Sequence, residues 1–178
     1  MVESVNRLAG PLSEGSGVAV RPLFSRPEGP VVLALLGGDG ERLRALARRL
    51  CALVGGECSR SYHPPVALVG IHAGRVGVDV EGVVATEAGF FEGIATPRER
   101  TTLSLPPEGP QRDRFLIELW SAKEAVAKAL GDALSYDPRR LDSPFVWQEV
   151  GPGLYRAGAA YAHPLELGEG LVGWVCWR

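Results

Sequence analysis

The stretch VGVDVEG (residues 76–82) alternates valine with glycine, aspartate and glutamate. In an extended chain successive side chains point to opposite sides, so Val76, Val78 and Val80 share one face while Asp79 and Glu81 share the other. The chain must therefore contain a strand that lays one apolar face on a core and holds two neighbouring carboxylates on its reverse. An edge strand with a wet face often carries charge that discourages pairing with another chain, and this is the plain explanation of the acids.

The surroundings suit a mixed fold. VAVRPL (18–23), VVLALL (31–36) and VALVGI (66–71) read as strands, the first two separated by the turn residues of FSRPEGP. Between the second and third, GERLRALARRLCALVGG places leucines at helical spacing among arginines and stops at Gly55 and Gly56, the pattern of an amphipathic helix. After the acidic strand come two short helices, the second opened by Thr96 and Pro97, and then the longest helix, RDRFLIELWSAKEAVAKALG, closed by Gly131. The last third offers strands near 145–150, 154–162 and 171–177.

The expected fold is α+β: two similar lobes related by a pseudo-twofold, each a small antiparallel sheet packed on a long helix, with lobes at 1–74 and 75–178. The 178 residues, 46% hydrophobic and 22% charged, are enough for a real core and argue against disorder. A net charge of −2 excludes generic nucleic-acid binding by bulk electrostatics. No apolar run approaches the roughly 20 residues of a membrane span. MVESVNRLAG lacks the basic start and apolar core of a secretion signal, so a cytoplasmic protein without membrane contact is expected. Cys51, Cys58 and Cys176, odd in number and without CxxC spacing, are read as buried or idle thiols, not as a disulfide framework or zinc site.

In the longest helix, Leu116, Leu119, Val126 and Leu130 gather into one apolar arc. Glu124 and Lys128 fall together at its margin, near Trp120. An exposed Glu–Lys pair one turn apart is common and is worth only about 0.2–0.5 kcal/mol. Lys123 is less ordinary, because it lies inside the apolar arc, where an unpaired ammonium is expensive unless its stem carries it out to water. A local rule broken there points to a site.

WSAKEAVAK (120–128), taken with VGVDVE, resembles the signature pair of the 4'-phosphopantetheinyl transferases: Gly77, Asp79 and Glu81 on a strand, then Trp120, Ser121, Lys123, Glu124, Ala125 and Lys128 on a helix. FFEGIATPRER, with Glu99, resembles the family's segment between the motifs; GDALSYDPRRLD and GLVGWVCWR resemble the segments that follow. The similarity runs from about His63 to the C-terminus. In length the chain is nearer the two-lobed surfactin-synthetase type than the small trimeric type, with a shortened N-terminal lobe, which implies a monomer.

The resemblance implies transfer of 4'-phosphopantetheine from coenzyme A to a serine of an apo acyl or peptidyl carrier protein, with release of adenosine 3',5'-bisphosphate. It implies Mg2+ held by Asp79, Glu81 and Glu124. Magnesium favours such hard oxygen ligands together with substrate phosphates. Unscreened, carboxylates about 4 Å apart would repel by about 4 kcal/mol per pair at an effective dielectric of 20. Lys128 would meet a phosphate, with Lys123 and His63 as further coenzyme A contacts. The base taking the serine proton stays open among Glu124, Glu99 and a metal-bound water.

Three departures from the family pattern stand out. SYHPP occupies the place of the usual Ser-His-Ser, so Tyr62 and Pro64 replace small residues around His63; the common Gly-Lys-Pro segment is absent; and the first lobe is short. These leave a second reading, a non-catalytic member that binds coenzyme A or a carrier protein. Arg44 and Arg48, within the cluster Arg42, Arg44, Arg48 and Arg49, either hold the 3'-phosphate of coenzyme A, meet an acidic carrier or form a solvated helix face. His72 and His163 are read as surface residues.

Overall fold

The computed structural model describes residues 17–133 and 135–178; residues 1–10, read above for a leader, and the first part of the expected 1–74 lobe lie outside them. The described chain is a mixed α+β structure with two antiparallel sheets and several helices. The first sheet contains β1 (Ala19–Ser25), β2 (Val31–Leu36), β3 (Glu57–His63) and β4 (Val66–His72), in the order β1-β2-β4-β3, with helix α1 (Gly40–Leu53) between β2 and β3. The second contains β5 (Val76–Gly82), β6 (Gln148–Gly151), β7 (Leu154–Ala157), β8 (Ala160–Pro164) and β9 (Leu171–Trp177), in the order β5-β9-β8-β7-β6. Helices α2 (Phe90–Ile94), α3 (Pro97–Thr102) and α4 (Pro110–Leu130) connect β5 to β6.

The alternation of apolar residues along the strands decides the layering. On β2 and β4, Leu33, Leu35, Ala67, Val69 and Ile71 pack with Leu43, Leu46, Ala47 and Leu50 of α1. Val32, Ala34 and Leu68, on the opposite face, meet Val76, Val78 and Val80 of β5 together with Val175 and Trp177 of β9. The valine face of the acidic strand is thus buried between the sheets. The reverse side of the second sheet, with Ala162, Trp174 and Cys176, receives Ala122, Ala125, Val126 and Ala129 of α4.

Gly77 sets the spacing between strand and helix. A Cβ there would stand 2.0 Å from the Ala125 carbonyl oxygen and 2.6 Å from the Ala129 nitrogen, so only glycine lets the backbones of β5 and α4 approach this closely. Arg75, just before β5, donates to the Leu130 carbonyl at 2.8 Å and so holds the end of α4 against the start of the strand. At the other end of α4, Asp113 accepts from the Thr86 amide (2.9 Å) and hydroxyl (2.7 Å), tying down the segment that leaves β5.

Several details differ from the sequence expectations. β3 was not foreseen, because its alternation sets Ser59, Ser61 and His63 against Cys58, Arg60 and Tyr62 and so lacks a clear apolar face. The strand expected over 154–162 is instead the hairpin β7–β8, which turns at Gly158 with a φ of 59° that glycine tolerates. The strand expected near 145 begins only at Gln148, after a 3₁₀ turn at Pro144–Val146. Cys51 and Cys58 are joined in a disulfide, since the reversal from α1 into β3 brings their Cα atoms to 5.7 Å, and Cys176 is the free, buried cysteine. His72 is buried: its Nδ1 accepts from the Gly74 amide (3.1 Å), which leaves Nε2 to donate to the Glu28 carbonyl (3.3 Å). His163 is half-buried against the Phe24 ring, with centroids 4.8 Å apart. Among the described residues no helix is long and apolar enough to cross a membrane.

Candidate active site

On the helix-facing side of β5, Asp79 is only 2% exposed, and its Oδ1 is gripped twice. Lys128 Nζ lies 2.6 Å away and also donates to the Val78 carbonyl at 3.1 Å; the Ser61 hydroxyl donates at 2.9 Å. The opposite oxygen, Oδ2, is buried and has no hydrogen-bond partner among the described residues. A carboxylate oxygen withdrawn from water and left unpaired costs about 1–3 kcal/mol or more, which a fold retains only for a reason.

Glu81, two residues on, is half-buried on the same face. Burial first, and then the Asp79 carboxylate, push its carboxyl up to about 7, while Lys128 and a hydrogen bond from the Trp120 side chain pull the other way. The charge of Glu124 adds a smaller upward push, so this helix acid lies within electrostatic reach of the strand acids. Glu124 itself accepts from the Tyr136 hydroxyl at 2.7 Å. The Tyr136 hydroxyl is driven above its ordinary range by burial and by that carboxylate.

Two of the acids therefore have donors at hydrogen-bond distance, Lys128 and Ser61 for Asp79 and Tyr136 for Glu124, while the Trp120 side chain lies close enough to Glu81 to draw its carboxyl down. Among the described residues no group of three or more His, Cys, Asp or Glu side chains is arranged to hold a metal ion. The acids are electrostatic neighbours and not an assembled cage: Lys128 takes Oδ1 of Asp79 and Tyr136 takes Oε1 of Glu124, which leaves the second oxygen of each carboxylate for a cation. Their chemistry nevertheless fits a small hard cation: oxygen donors only, mutual repulsion, and one buried oxygen without a partner.

Ser59 and Ser61 join the two sheets at this point. The Val78 amide donates to Ser59 Oγ (3.0 Å) and the Val80 amide to Ser61 Oγ (3.3 Å). The two hydroxyls thus take the amides of β5 on the edge away from β9, and one of them also orients Asp79. The sequence does not single out either serine: their period-two spacing with His63 puts the three on one face of a strand but names no partner for them. His63 completes the row, its ring lying over Gly82, where a Cβ would come within 2.5 Å of Cε1 and Nε2. The Arg44 guanidinium lies 5.4 Å from the centroid of the Tyr62 ring, beside the His63 hairpin. Arg48 is exposed one turn further along α1.

Glu99 and Lys123 lie elsewhere. Both side chains are fully buried and pair at 2.6 Å. Glu99 Oε2 also accepts from the Thr96 amide (2.8 Å) and Oε1 from the Ser143 amide (2.7 Å), while Lys123 Nζ donates to the carbonyls of Pro138 (2.8 Å) and Leu141 (2.6 Å). With no exposed surface and every oxygen and proton engaged, Glu99 is unsuited to be a base and Lys123 to meet coenzyme A. The break in the helical pattern at Lys123 marks a buried ion pair. Burial holds the Lys123 ammonium below its ordinary value, with Glu99 pulling it back.

No curated protein matches the chain. The profile of the 4'-phosphopantetheinyl transferase superfamily matches residues 75–168, more than half of the 178, and so takes in β5, α4 and all three acids; the chain belongs to that superfamily.

Proposed function

We propose that this chain is an active, Mg2+-dependent transferase that moves 4'-phosphopantetheine from coenzyme A to a serine of an apo acyl or peptidyl carrier protein. The observation that carries the reading is the unpartnered, buried Oδ2 of Asp79 beside Glu81, in a set of acids short of positive charge. Asp79, Glu81 and Glu124 would hold the ion. Magnesium, when bound, neutralises charge on the diphosphate and on the departing group.

The residues of the chain have defined tasks in this scheme. Lys128 has three N–H donors, of which two go to Asp79 and the Val78 carbonyl, leaving one for a diphosphate oxygen. His63, whose ring lies over Gly82 at the end of the acidic strand, offers a donor to the nucleotide phosphates, with Arg44, over the Tyr62 ring on the other face of β3, and exposed Arg48 further out. The serine oxygen attacks the phosphorus that bears pantetheine, the bridging P–O bond breaks, and adenosine 3',5'-bisphosphate leaves with the bonding pair. The serine proton passes to Glu124. Positioning and charge stabilisation are most of what phosphoryl transfer asks of a protein.

We read residues 1–74 and 75–178 as two lobes of the surfactin-synthetase type related by a pseudo-twofold, the first shortened, acting as a cytoplasmic monomer. Both sheets carry a helix on the face turned away from the other sheet, which supports the reading.

Incubation with coenzyme A, Mg2+ and an apo carrier protein, followed by intact-protein mass spectrometry, tests the activity. A phosphopantetheine adduct on serine, lost with Asp79→Ala, is the expected result. Coenzyme A binding with no adduct on any carrier tried would overturn transfer in favour of the non-catalytic reading.

A further inference from the structure

Tyr136 lies in the segment that follows α4, twelve residues beyond Glu124, and the hydrogen bond between them joins this segment back to the helix. Two adjacent residues of α4 grip the same loop. Lys123 holds the carbonyls of Pro138 and Leu141, and Glu124 holds the Tyr136 hydroxyl. Asp137 caps the intervening 3₁₀ turn by accepting from the Arg139 amide at 3.0 Å. The fully buried Lys123 fixes the turn at Pro138–Arg140, the turn fixes the direction of the chain at Asp137, and the preceding tyrosine reaches Glu124.

A glutamate has three rotatable side-chain torsions, and a half-buried one at the margin of a helix would sample several positions. The Tyr136 hydroxyl has one proton, and here it goes to Glu124 Oε1. That bond restricts the carboxylate while leaving its charge intact, and Glu124 remains within electrostatic reach of Glu81. Donors that engage one oxygen of a ligating carboxylate orient the other, and their loss commonly weakens ion binding 10–100-fold.

We propose that Tyr136 is a positioning residue: it presets Glu124 for a divalent cation shared with the β5 acids. The inference rests on the reading of Glu124 as an ion ligand. Removing the hydroxyl alone, in Tyr136→Phe, keeps the ring and its packing.

The test is a direct titration with Mn2+, in which free ion is followed by its paramagnetic resonance signal, on the wild type, Tyr136→Phe, Glu124→Gln and the double variant, with thermal midpoints recorded for each. Expected are about tenfold weaker Mn2+ binding in Tyr136→Phe at an unchanged midpoint, weaker binding again in Glu124→Gln, and little further loss in the double variant. If Glu124→Gln weakens binding and Tyr136→Phe does not, or if the two losses multiply in the double variant, the role of Tyr136 is overturned while the ion site stands. If Glu124→Gln binds Mn2+ like the wild type, Glu124 is not a ligand and both readings fall.

Discussion

Helix α4 carries two lysines five residues apart, and each pairs with a carboxylate at 2.6 Å, yet the two pairs have opposite characters. Lys123 and Glu99 have no exposed side-chain surface, and every carboxylate oxygen and ammonium proton finds a partner inside the protein. Lys128 keeps 21% of its side chain exposed, and Asp79 retains an oxygen with no partner among the described residues. The presence of a buried ion pair therefore says little about function. What separates scaffold from site is whether the groups are satisfied: a closed network stiffens the fold, whereas an incomplete one leaves room for a ligand.

The sharpest way to break the contrast is Lys123→Met. It removes one partner of a fully buried pair and strands the Glu99 carboxylate, which should lower stability by about 3–5 kcal/mol, measured by chemical denaturation. Specific activity per folded molecule should fall no further than in Tyr136→Phe, because Lys123 reaches the site only through the turn that carries Tyr136. Unchanged stability with lost transfer would move Lys123 to the site and dissolve the distinction.

Asp79→Asn is the counterpart. Lys128 keeps the Val78 carbonyl as an acceptor, so the expected change in stability is small, while transfer should fall about 100-fold as the charge facing the ion and the diphosphate disappears. Carrier-modification rates alongside unfolding curves read both effects. A large loss of stability with activity intact would make this pair a scaffold as well.

Gly77→Ala tests the spacing that lets strand acids meet helix acids. Its methyl group would press into the backbone of α4 at Ala125 and Ala129, which cannot yield as a flexible side chain would. A loss of about 1–3 kcal/mol is expected from overpacking, with a fall in transfer larger than the loss of folded protein accounts for. Wild-type rates would show that the acid set tolerates separation of β5 from α4.

How far the letters alone reach follows from the same contrast. The facing of Asp79 and Glu81 was legible because valine alternation fixes the two sides of a strand, and the burial of Leu116, Leu119 and Val126 followed from helical spacing. The anomaly at Lys123 was legible too, but not its meaning, because Glu99 lies 24 residues earlier and only the packing of α3 against the chain near Ser143 brings the pair together. Tyr136 and Ser61 escaped notice for a related reason. Each reaches its acid from a separate segment, and neither a lone tyrosine in a loop nor a serine in a polar strand announces its partner. The Cys51–Cys58 disulfide depends likewise on a reversal between helix and strand that cysteine counting does not see.

Ser61→Ala makes the finest cut, because Ser61 belongs to both sides of the comparison. Its hydroxyl takes the Val80 amide, a structural service, and orients Asp79, a service to the site. Losing the first bond should lower stability by about 1 kcal/mol, and losing the second should slow transfer severalfold by freeing the carboxylate to turn. Ser59 makes only the amide contact, to Val78. Ser59→Ala should therefore cost less stability than Ser61→Ala, which also loses a bond to a charged group, and should leave the rate near that of the wild type. Equal rates in the two variants would mean that Lys128 alone orients Asp79 and that the serine row only joins the sheets.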